Sequence, residues 1–207
     1  MKLAVEKLEA GYQGKTVVKD VSFTVEKGEF ISLIGPSGCG KSTVLKVLAG
    51  LLEPMAGTIM VDDAPLQGGS RHFSYMPQSD LLLDWYDILD NVCLYGKIHG
   101  KKKEAQQQAL ENLKEFGLAG YEHAYPSQLS GGMRQRAAFL RTALCDSDIL
   151  LLDEPFGALD VITREDMQDW LNRMRQRLDR TTLLVTHDID EAIYLSDRIL
   201  ILGQRPA

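Results

Sequence analysis

The sequence lacks any apolar run long enough to cross a membrane. Its longest uninterrupted apolar stretches, such as residues 149–152, fall far below the ~20 residues that span a bilayer. Residues 1–6 also lack the cleavable apolar stretch of a secretory signal. We therefore expect a chain that stays in the cytosol.

Cysteine and positive charge are also scarce. The three cysteines, Cys39, Cys93 and Cys145, are odd in number and far apart, which excludes a disulfide framework and a zinc pattern and favours reduced thiols. Acidic residues outnumber basic ones by 29 to 23, and the one basic run, residues 101–103, is short and typical of a solvated helix start. Because nucleic-acid phosphates are bound mainly by clustered Lys and Arg, we expect no nucleic-acid partner.

The order of predicted elements indicates an α/β fold. Residues 3–9 and 16–25 alternate apolar and polar side chains, which predicts antiparallel strands joined by a turn. Residues 30–34 predict a strand that leads through a glycine-rich loop into a helix over residues 43–52. A strand, a loop of this kind and a helix are the opening of a nucleotide-binding α/β domain.

The middle of the chain is predicted to be helical. Two short strands near residues 58–61 and 73–76 precede a helical pattern over residues 87–116, and we interpret residues 79–143 as a small helical lobe. Residues 149–152 form an apolar run typical of a parallel strand buried on both faces. The remaining predicted elements are an amphipathic helix marked by Met167, Trp170, Leu171, Met174 and Leu178, strands at 183–186 and 198–202, and a short helix at 189–195.

The glycine-rich loop matches the pattern G-x-x-x-x-G-K-[ST] between a strand and a helix. Glycines let the backbone N–H groups wrap around phosphates, Lys41 adds a full positive charge, and the Ser42 hydroxyl can ligate Mg²⁺. The alternative is a turn that only joins two elements, and Cys39 is interpreted as a small filler rather than a redox thiol. The candidate nucleotide-binding residues here are Gly35, Pro36, Ser37, Gly38, Cys39, Gly40, Lys41, Ser42 and Thr43.

Two carboxylates follow the buried strand, at the end where open α/β sheets place their ligands. Asp153 would hold Mg²⁺ and Glu154 would polarise the attacking water. His187 follows another apolar strand and could contact a terminal phosphate and the catalytic carboxylate. The alternatives are ordinary ones, since acidic residues and histidines after strands often cap helices or lie on the surface.

A second anion-binding helix start is predicted at Ser130. Ser130 is a natural N-cap, and Gly131 and Gly132 leave the first amides of the helix uncovered. One chain with one triphosphate loop has no need of two such sites. We therefore expect the second site to face nucleotide bound by another copy of the chain.

With these motifs in this order, the chain resembles the ABC ATPase family over essentially its whole length. The loop through Lys41 is similar to the Walker A motif, residues 129–135 to the signature, Asp153 and Glu154 to the Walker B end, and residues 158–160 to the D-loop with Asp160. The resemblance implies a P-loop ATPase of ABC type as one domain over 1–207. Residues 1–78 and 144–207 would form a RecA-like mixed sheet core with an antiparallel β subdomain, and 79–143 the helical lobe.

The resemblance also implies further site residues and partners. Gln78 matches the Q-loop glutamine that joins Mg²⁺ and the attacking water to the membrane partner, and Tyr12 matches the aromatic that stacks on adenine, although it could instead be an edge-strand residue. The implied cofactors are ATP and Mg²⁺. The implied partners are a second copy, integral membrane permease subunits that contact Leu82 and Trp85, and indirectly an extracytoplasmic solute-binding protein. Leu82 and Trp85 could equally pack the helical lobe.

Within the family, the amino-acid sequence resembles that of importer ATPases for nitrate, sulfonate, taurine and thiamine-precursor substrates. This implies a bacterial import subunit for a small anionic or organic solute, peripheral at the cytoplasmic face of the inner membrane. The alternative is a soluble ABC ATPase of DNA repair or translation, whose coiled-coil insertion or second cassette is not seen in the sequence. Met133 departs from the glutamine of many members, and the chain stops at Ala207, soon after the last predicted strand.

Overall fold

The computed structural model describes residues 1–66, 71–157, 159–178 and 180–203, with only the backbone of residues 176–178. Its strands are β1 (Leu3–Tyr12), β2 (Lys15–Val25), β3 (Phe30–Ile34), β4 (Ala56–Val61), β5 (Ala64–Pro65), β6 (Phe73–Met76), β7 (Ile149–Asp153), β8 (Thr181–Val185) and β9 (Arg198–Ile201). Its helices are α1 (Lys41–Leu48), α2 (Ile88–Val92), α3 (Leu94–Ile98), α4 (Lys102–Glu115), α5 (Gly131–Ala143), α6 (Val161–Leu178) and α7 (Ile189–Leu195), with a 3₁₀ turn at Pro126–Gln128.

The chain divides into two compact units. The first contains Met1–Tyr75, Ser147–Glu154 and Leu171–Ala207, and the second contains Met76–Asp146 and Pro155–Trp170. Pro155–Trp170 thus clusters with Met76–Asp146. Among the described residues, no helix has both the length and the apolar character needed to cross a membrane.

The first unit contains two sheets. An antiparallel sheet has the order β2-β1-β4-β5, with β1 paired to β2 and to β4. The β1–β2 turn has positive φ at Gln13 (51°) and Gly14 (76°), the geometry that matches a two-residue hairpin turn to strand twist. The second sheet has the order β6-β7-β8-β3-β9, and its β7–β8, β8–β3 and β3–β9 pairs are parallel.

One apolar core joins these elements within the first unit. The inward side chains of β1 pack with the apolar side of α1 and with the strands of the parallel sheet, and every residue of β7 and β8 is buried. A parallel strand covered on both faces needs an unbroken apolar run, which is why residues 149–152 show no alternation. The largest fully buried members of this core are Leu3, Leu8, Ile31, Leu45 and Leu48.

Helix α1 is shorter at its C-terminal end than the sequence pattern predicted. It ends at Leu48 because Gly50 adopts a left-handed conformation (φ 71°). The Gly50 N–H then bonds to Val47 O, and the Leu51 N–H bonds to Lys46 O at 2.8 Å. This pair of hydrogen bonds is a Schellman motif, which satisfies the last carbonyls of the helix and stops it.

The second unit is helical and has its own aromatic core. Trp170 packs edge-on against Phe116 and Phe139, with ring centroids 4.3 and 5.1 Å away, and its indole N–H donates to Glu115 O. The helical pattern predicted over residues 87–116 is divided into α2, α3 and α4. Gly100 (φ 73°) causes the break before α4, because few other residues adopt that conformation without strain.

Candidate functional site

The loop between β3 and α1 requires glycine at fixed points. Gly35, Gly38 and Gly40 have φ values of 156°, 78° and 105°. A Cβ on Gly40 would lie 2.5 Å from Val18 Cγ2, and one on Gly35 would lie 2.5 Å from Leu202 O. The loop is therefore a tight backbone cradle that no other residue type would fit at these two positions.

Lys41 places its ammonium group inside this cradle. Its side chain is buried, and Nζ donates hydrogen bonds to Gly35 O at 2.8 Å and Pro36 O at 3.1 Å. Cys39 is also buried, with its Sγ 3.9 Å from that ammonium group. The lysine charge and the N-terminus of α1 thus act on the same small volume, which favours a bound anion.

Asp153 ends β7 and is held by two hydroxyl groups. Ser42 Oγ donates to Oδ1 at 2.8 Å, and Tyr75 OH donates to Oδ2 at 2.9 Å. Burial raises the pKa of Asp153 above its ordinary value, while both hydrogen bonds act in the opposite direction. The same environment raises the pKa of the Tyr75 phenol, through burial and the nearby carboxylate.

Tyr75 is a site residue that the sequence interpretation missed. It lies in β6, which neighbours β7 in the sheet, so that its phenol reaches the carboxylate at the end of β7. The sequence predicted a strand there, but it carries no signal that this strand lies beside the one that ends in Asp153.

Glu154 and His187 are brought together at the same edge. The parallel pairing of Asp153 with Val185 aligns the ends of β7 and β8, and the Glu154 N–H donates to Val185 O at 2.9 Å. Glu154 has a positive φ of 47°, and its Oε2 lies 3.6 Å from His187 Nδ1. A non-glycine residue held in this conformation is a feature found often at functional sites.

These residues fit a nucleotide triphosphate with a magnesium ion. Three features carry this fit: the cradle that a Cβ would fill, the buried ammonium of Lys41, and the hydroxyl–carboxylate pair of Ser42 and Asp153. Hydroxyl and carboxylate oxygens are the hard ligands that Mg²⁺ prefers. Ser42 and Asp153 would hold the ion, and the loop backbone with Lys41 would hold the phosphates.

The second helix start, in the second unit, is capped as the sequence predicted. The Ser130 side chain accepts a hydrogen bond from the Met133 N–H at 3.3 Å, and α5 begins at Gly131. A Cβ on Gly132 would lie 2.4 Å from Thr163 Cγ2, so Gly132 permits α5 to approach the first turn of α6. Asp160 caps α6 by accepting from the Thr163 N–H and hydroxyl, and these bonds lower the pKa of Asp160.

The remaining predicted site residues stay predictions. Tyr12 is exposed at the end of the β1–β2 hairpin, and Gln78 is exposed in the second unit, two residues after β6. Leu82 is buried, which assigns it to packing, whereas Leu81 and Trp85 are exposed. Ala158 of the predicted D-loop lies outside the described residues.

A family model described as "ABC transporter" matches residues 18–157. The chain is 44% identical over 205 residues to the taurine import ATP-binding protein TauB of Yersinia pestis, covering 99% of this chain and 80% of that protein. It is 50% identical over 191 residues to the aliphatic sulfonates import ATP-binding protein SsuB 1 of Rhodococcus jostii, covering 92% and 75%. Its identity to the formylaminopyrimidine import ATP-binding protein ThiZ of Halalkalibacterium halodurans is 47% over 206 residues, covering 99% and 80%.

The fold is also similar to solved structures. The ATP-binding cassette MJ0796, solved as a dimer in a post-hydrolysis state bound to ADP and Pi, has a TM-score of 0.82 to this chain at 30% identity, covering 97% of this chain and 94% of that one. The predicted resemblance and fold class are confirmed by these findings. The chain therefore belongs to the ABC transporter family and has the fold of its ATP-binding, ATP-hydrolysing cassettes.

Proposed function

We propose that this chain is the ATP-hydrolysing subunit of a bacterial importer and that it works as a pair of copies closing on ATP. The observation that carries the proposal is the presence of two anion-directed helix starts, at Lys41 and at Ser130, with one triphosphate loop. A second copy supplies what one chain cannot, because the Ser130 site of each copy would face ATP bound at the other copy's loop. Dimeric cassettes among the similar structures support this arrangement.

Each site residue then has a role that its geometry supports. The loop amides and Lys41 bind the β- and γ-phosphates, while Tyr12 stacks on adenine. Ser42, Asp153 and Gln78 would hold Mg²⁺, which would supply positive charge that offsets the charge on the phosphates. Because phosphoryl transfer leaves little covalent chemistry to the protein, positioning and charge stabilisation account for most of the rate effect.

Glu154 and His187 act on the water and the terminal phosphate. Glu154 orients the attacking water. Its Oε2 lies 3.6 Å from His187 Nδ1, so that both side chains can act on the same terminal phosphate. His187 hydrogen-bonds the γ-phosphate, so that it distinguishes intact ATP from the product. Ser130, Gly131 and Gly132 of the partner copy complete the phosphate site. Asp160 also belongs to the proposed nucleotide site.

The transported solute is a small anionic or organic molecule. Support comes from the taurine, aliphatic sulfonate and formylaminopyrimidine import proteins that the chain resembles. Selectivity would belong to the permease subunits and an extracytoplasmic solute-binding protein, with this chain peripheral at the cytoplasmic face of the inner membrane. The relatives named above are all described as import ATP-binding proteins, which gives no support to the alternative in DNA repair or translation.

Contact with the permease would use the exposed side chains that follow Gln78. Leu81 and Trp85 are 59% and 70% exposed, in a segment that belongs to the proposed helical lobe of residues 79–143. An exposed Trp is typical of a surface that packs against a partner. The core proposed for residues 1–78 and 144–207 would carry the nucleotide loop.

The variant Glu154→Gln tests this function directly. It should bind MgATP with unchanged affinity, lose turnover and accumulate as an ATP-bound dimer, because the phosphate contacts remain while the water is no longer polarised. Size-exclusion chromatography with light scattering, with and without MgATP, measures the dimer. Glu6→Gln makes the same change at an exposed position of β1 and is the matched control. It should retain the turnover of the parent protein and show the same dimer fraction with and without MgATP.

Two results would contradict the proposal. One is rapid turnover in Glu154→Gln, which would remove Glu154 from its role. The other is a protein that stays monomeric with saturating MgATP after hydrolysis has been blocked.

A further inference from the structure

The segment after Gln78 is an ordered loop rather than a loose connection. We refer to residues 79–87 as the exposed loop. The fully buried Asn91 of α2 orders its second half: its Nδ2 donates to Leu83 O and Tyr86 O at 3.0 Å, and its Oδ1 accepts from the Leu83 N–H at 2.7 Å. The loop backbone is therefore held from within the second unit while Trp85 points to solvent.

Arg141 of α5 holds the backbone in the first half of the exposed loop. Arg141 donates to Asp80 O at 2.6 Å and to Leu81 O at 2.7 Å. Leu81 has a positive φ of 45°, a conformation that a leucine rarely adopts. The two hydrogen bonds from Arg141 fix the carbonyl groups before and after the Leu81 Cα. Arg141 thus ties the backbone of the exposed loop directly to α5.

Arg134 contacts both the exposed loop and the start of α5. Its Nε donates to Asp80 Oδ2 at 3.1 Å, and its Nη1 donates to Leu129 O at 2.9 Å. Leu129 directly precedes Ser130, the N-cap of α5. One guanidinium group thus joins the loop that bears Leu81 and Trp85 to the residue that directly precedes the N-cap of α5.

The Asp80–Arg134 pair is too exposed to be explained as a major source of stability. The Asp80 and Arg134 side chains are 29% and 36% exposed, and partly solvated ion pairs contribute little to folding. The pair contributes more to geometry than to stability, because the planar guanidinium group of Arg134 holds the Asp80 carboxylate and the Leu129 carbonyl in one fixed arrangement.

We propose that Asp80 and Arg134 are positioning residues that transmit displacement between the exposed loop and the phosphate-facing start of α5. Closure of Ser130–Gly132 on the partner's ATP would pull Arg134, and Arg134 would move Asp80 with the exposed loop. In the reverse direction, a permease helix that presses on Leu81 and Trp85 would reposition the helix start. This inference rests on the proposed function, since it assigns a path between two of its surfaces.

The chain offers a reporter for this movement. It has two tryptophans, Trp85 in the exposed loop and the buried Trp170. In a Glu154→Gln/Trp170→Phe background, acrylamide quenching reports the environment of Trp85 alone. Phe at position 170 retains a ring against Phe116 and Phe139.

Two changes remove the link, and one serves as the matched control. Asp80→Asn retains the Oδ1 acceptor that binds the Leu82 N–H at 3.1 Å but removes the charge facing Arg134. Arg134→Lys retains the charge but cannot span both acceptors. Asp84→Asn makes the same charge change at an exposed position of the same loop.

With MgATP as the only ligand, the background protein should dimerise and its Trp85 quenching constant should change by at least about 1.5-fold. Asp84→Asn should show the same change. Asp80→Asn should lose at least half of this change, with ATP affinity and thermal midpoint unchanged. Arg134→Lys should also lose at least half of it, and the double variant should lose no more than either single variant.

The proposal is overturned if Asp80→Asn shows the same ATP-dependent quenching change as Asp84→Asn. It is also overturned if the background dimerises with no change at Trp85. A background protein that does not dimerise with MgATP would instead refute the proposed function, and the link with it, so the two failures are distinguishable.

Discussion

The Ser42 hydroxyl donates a 2.8 Å hydrogen bond to Oδ1 of Asp153, across 111 positions of sequence. Donation uses the hydroxyl hydrogen and not the oxygen lone pairs. The same oxygen can therefore act as a Mg²⁺ ligand while the bond to Asp153 persists. The structure thus places the two proposed metal ligands in contact through a bond that metal binding does not need to break.

Lys41→Ala should weaken ATP binding by at least about tenfold, because a charged donor to the phosphates contributes roughly 1.5–3 kcal/mol. Isothermal titration calorimetry measures the affinity. Lys27→Ala removes an exposed lysine from the β2–β3 connection and should bind ATP as the parent does. Unchanged affinity in Lys41→Ala would contradict the assignment of the loop.

Gly40→Ala should disturb the loop more than Gly50→Ala. Both glycines have positive φ, at 105° and 71°, so each alanine carries roughly 1 kcal/mol of backbone strain. Only at Gly40 does the new Cβ also meet a neighbour, Val18 Cγ2 at 2.5 Å, whereas nothing lies within 4 Å at Gly50. We expect weakened nucleotide affinity in Gly40→Ala and parental affinity in Gly50→Ala, and equal affinities would show that the close approach has no role in binding.

Tyr75→Phe should lower the free energy of unfolding by about 1–2 kcal/mol, because the buried Asp153 carboxylate loses one of its two hydroxyl donors. Urea denaturation at neutral pH measures the loss. Tyr121→Phe, at a tyrosine that is 42% exposed, is the control and should change the free energy little. Equal losses in the two variants would show that the phenol contributes nothing through Asp153.

Asp148→Asn should destabilise the protein at neutral pH by up to about 1 kcal/mol, an amount limited by the exposure of the carboxylate. Lys2 Nζ bonds to Asp148 at 3.0 Å and to Asp62 at 2.7 Å, and the bond from Lys2 lowers the pKa of Asp148 below 3.8. The stabilisation is therefore fully present above the unfolded-state pKa of 3.8 and is lost as pH falls through the lower folded-state value.

Urea denaturation at pH 7 and pH 3 checks this prediction. The difference between parent and Asp148→Asn should shrink at the lower pH, while the exposed Asp146→Asn should match the parent at both. A difference that grows on acidification would reverse the sign and refute the assigned pKa shift.

Local features of the structure followed from local sequence. The strand before the loop, the helix after it and the N-cap at Ser130 were all predicted, because glycine spacing, apolar runs and capping residues act over a few positions. The end of α1 was predicted too far along the chain, because the stop depends on the left-handed conformation of Gly50 and not on the apolar pattern that continues through Leu52.

Contacts between distant segments could not be predicted in this way. Tyr75 contacts Asp153 only because β6 neighbours β7, and Asp80 contacts Arg134 only because the exposed loop packs on α5. The apolar pattern also did not distinguish Leu81 from Leu82, which proved to be exposed and buried respectively.

The sequence by itself determined the phosphate loop, the capped helix start and the family, because these are encoded in residues a few positions apart whose chemistry needs no distant partner. Tertiary structure alone decided which hydroxyls hold Asp153, how Glu154 meets His187 and which loop Arg134 reaches. The physical reason is that strand order and helix packing, rather than local spacing, set the distances between these side chains.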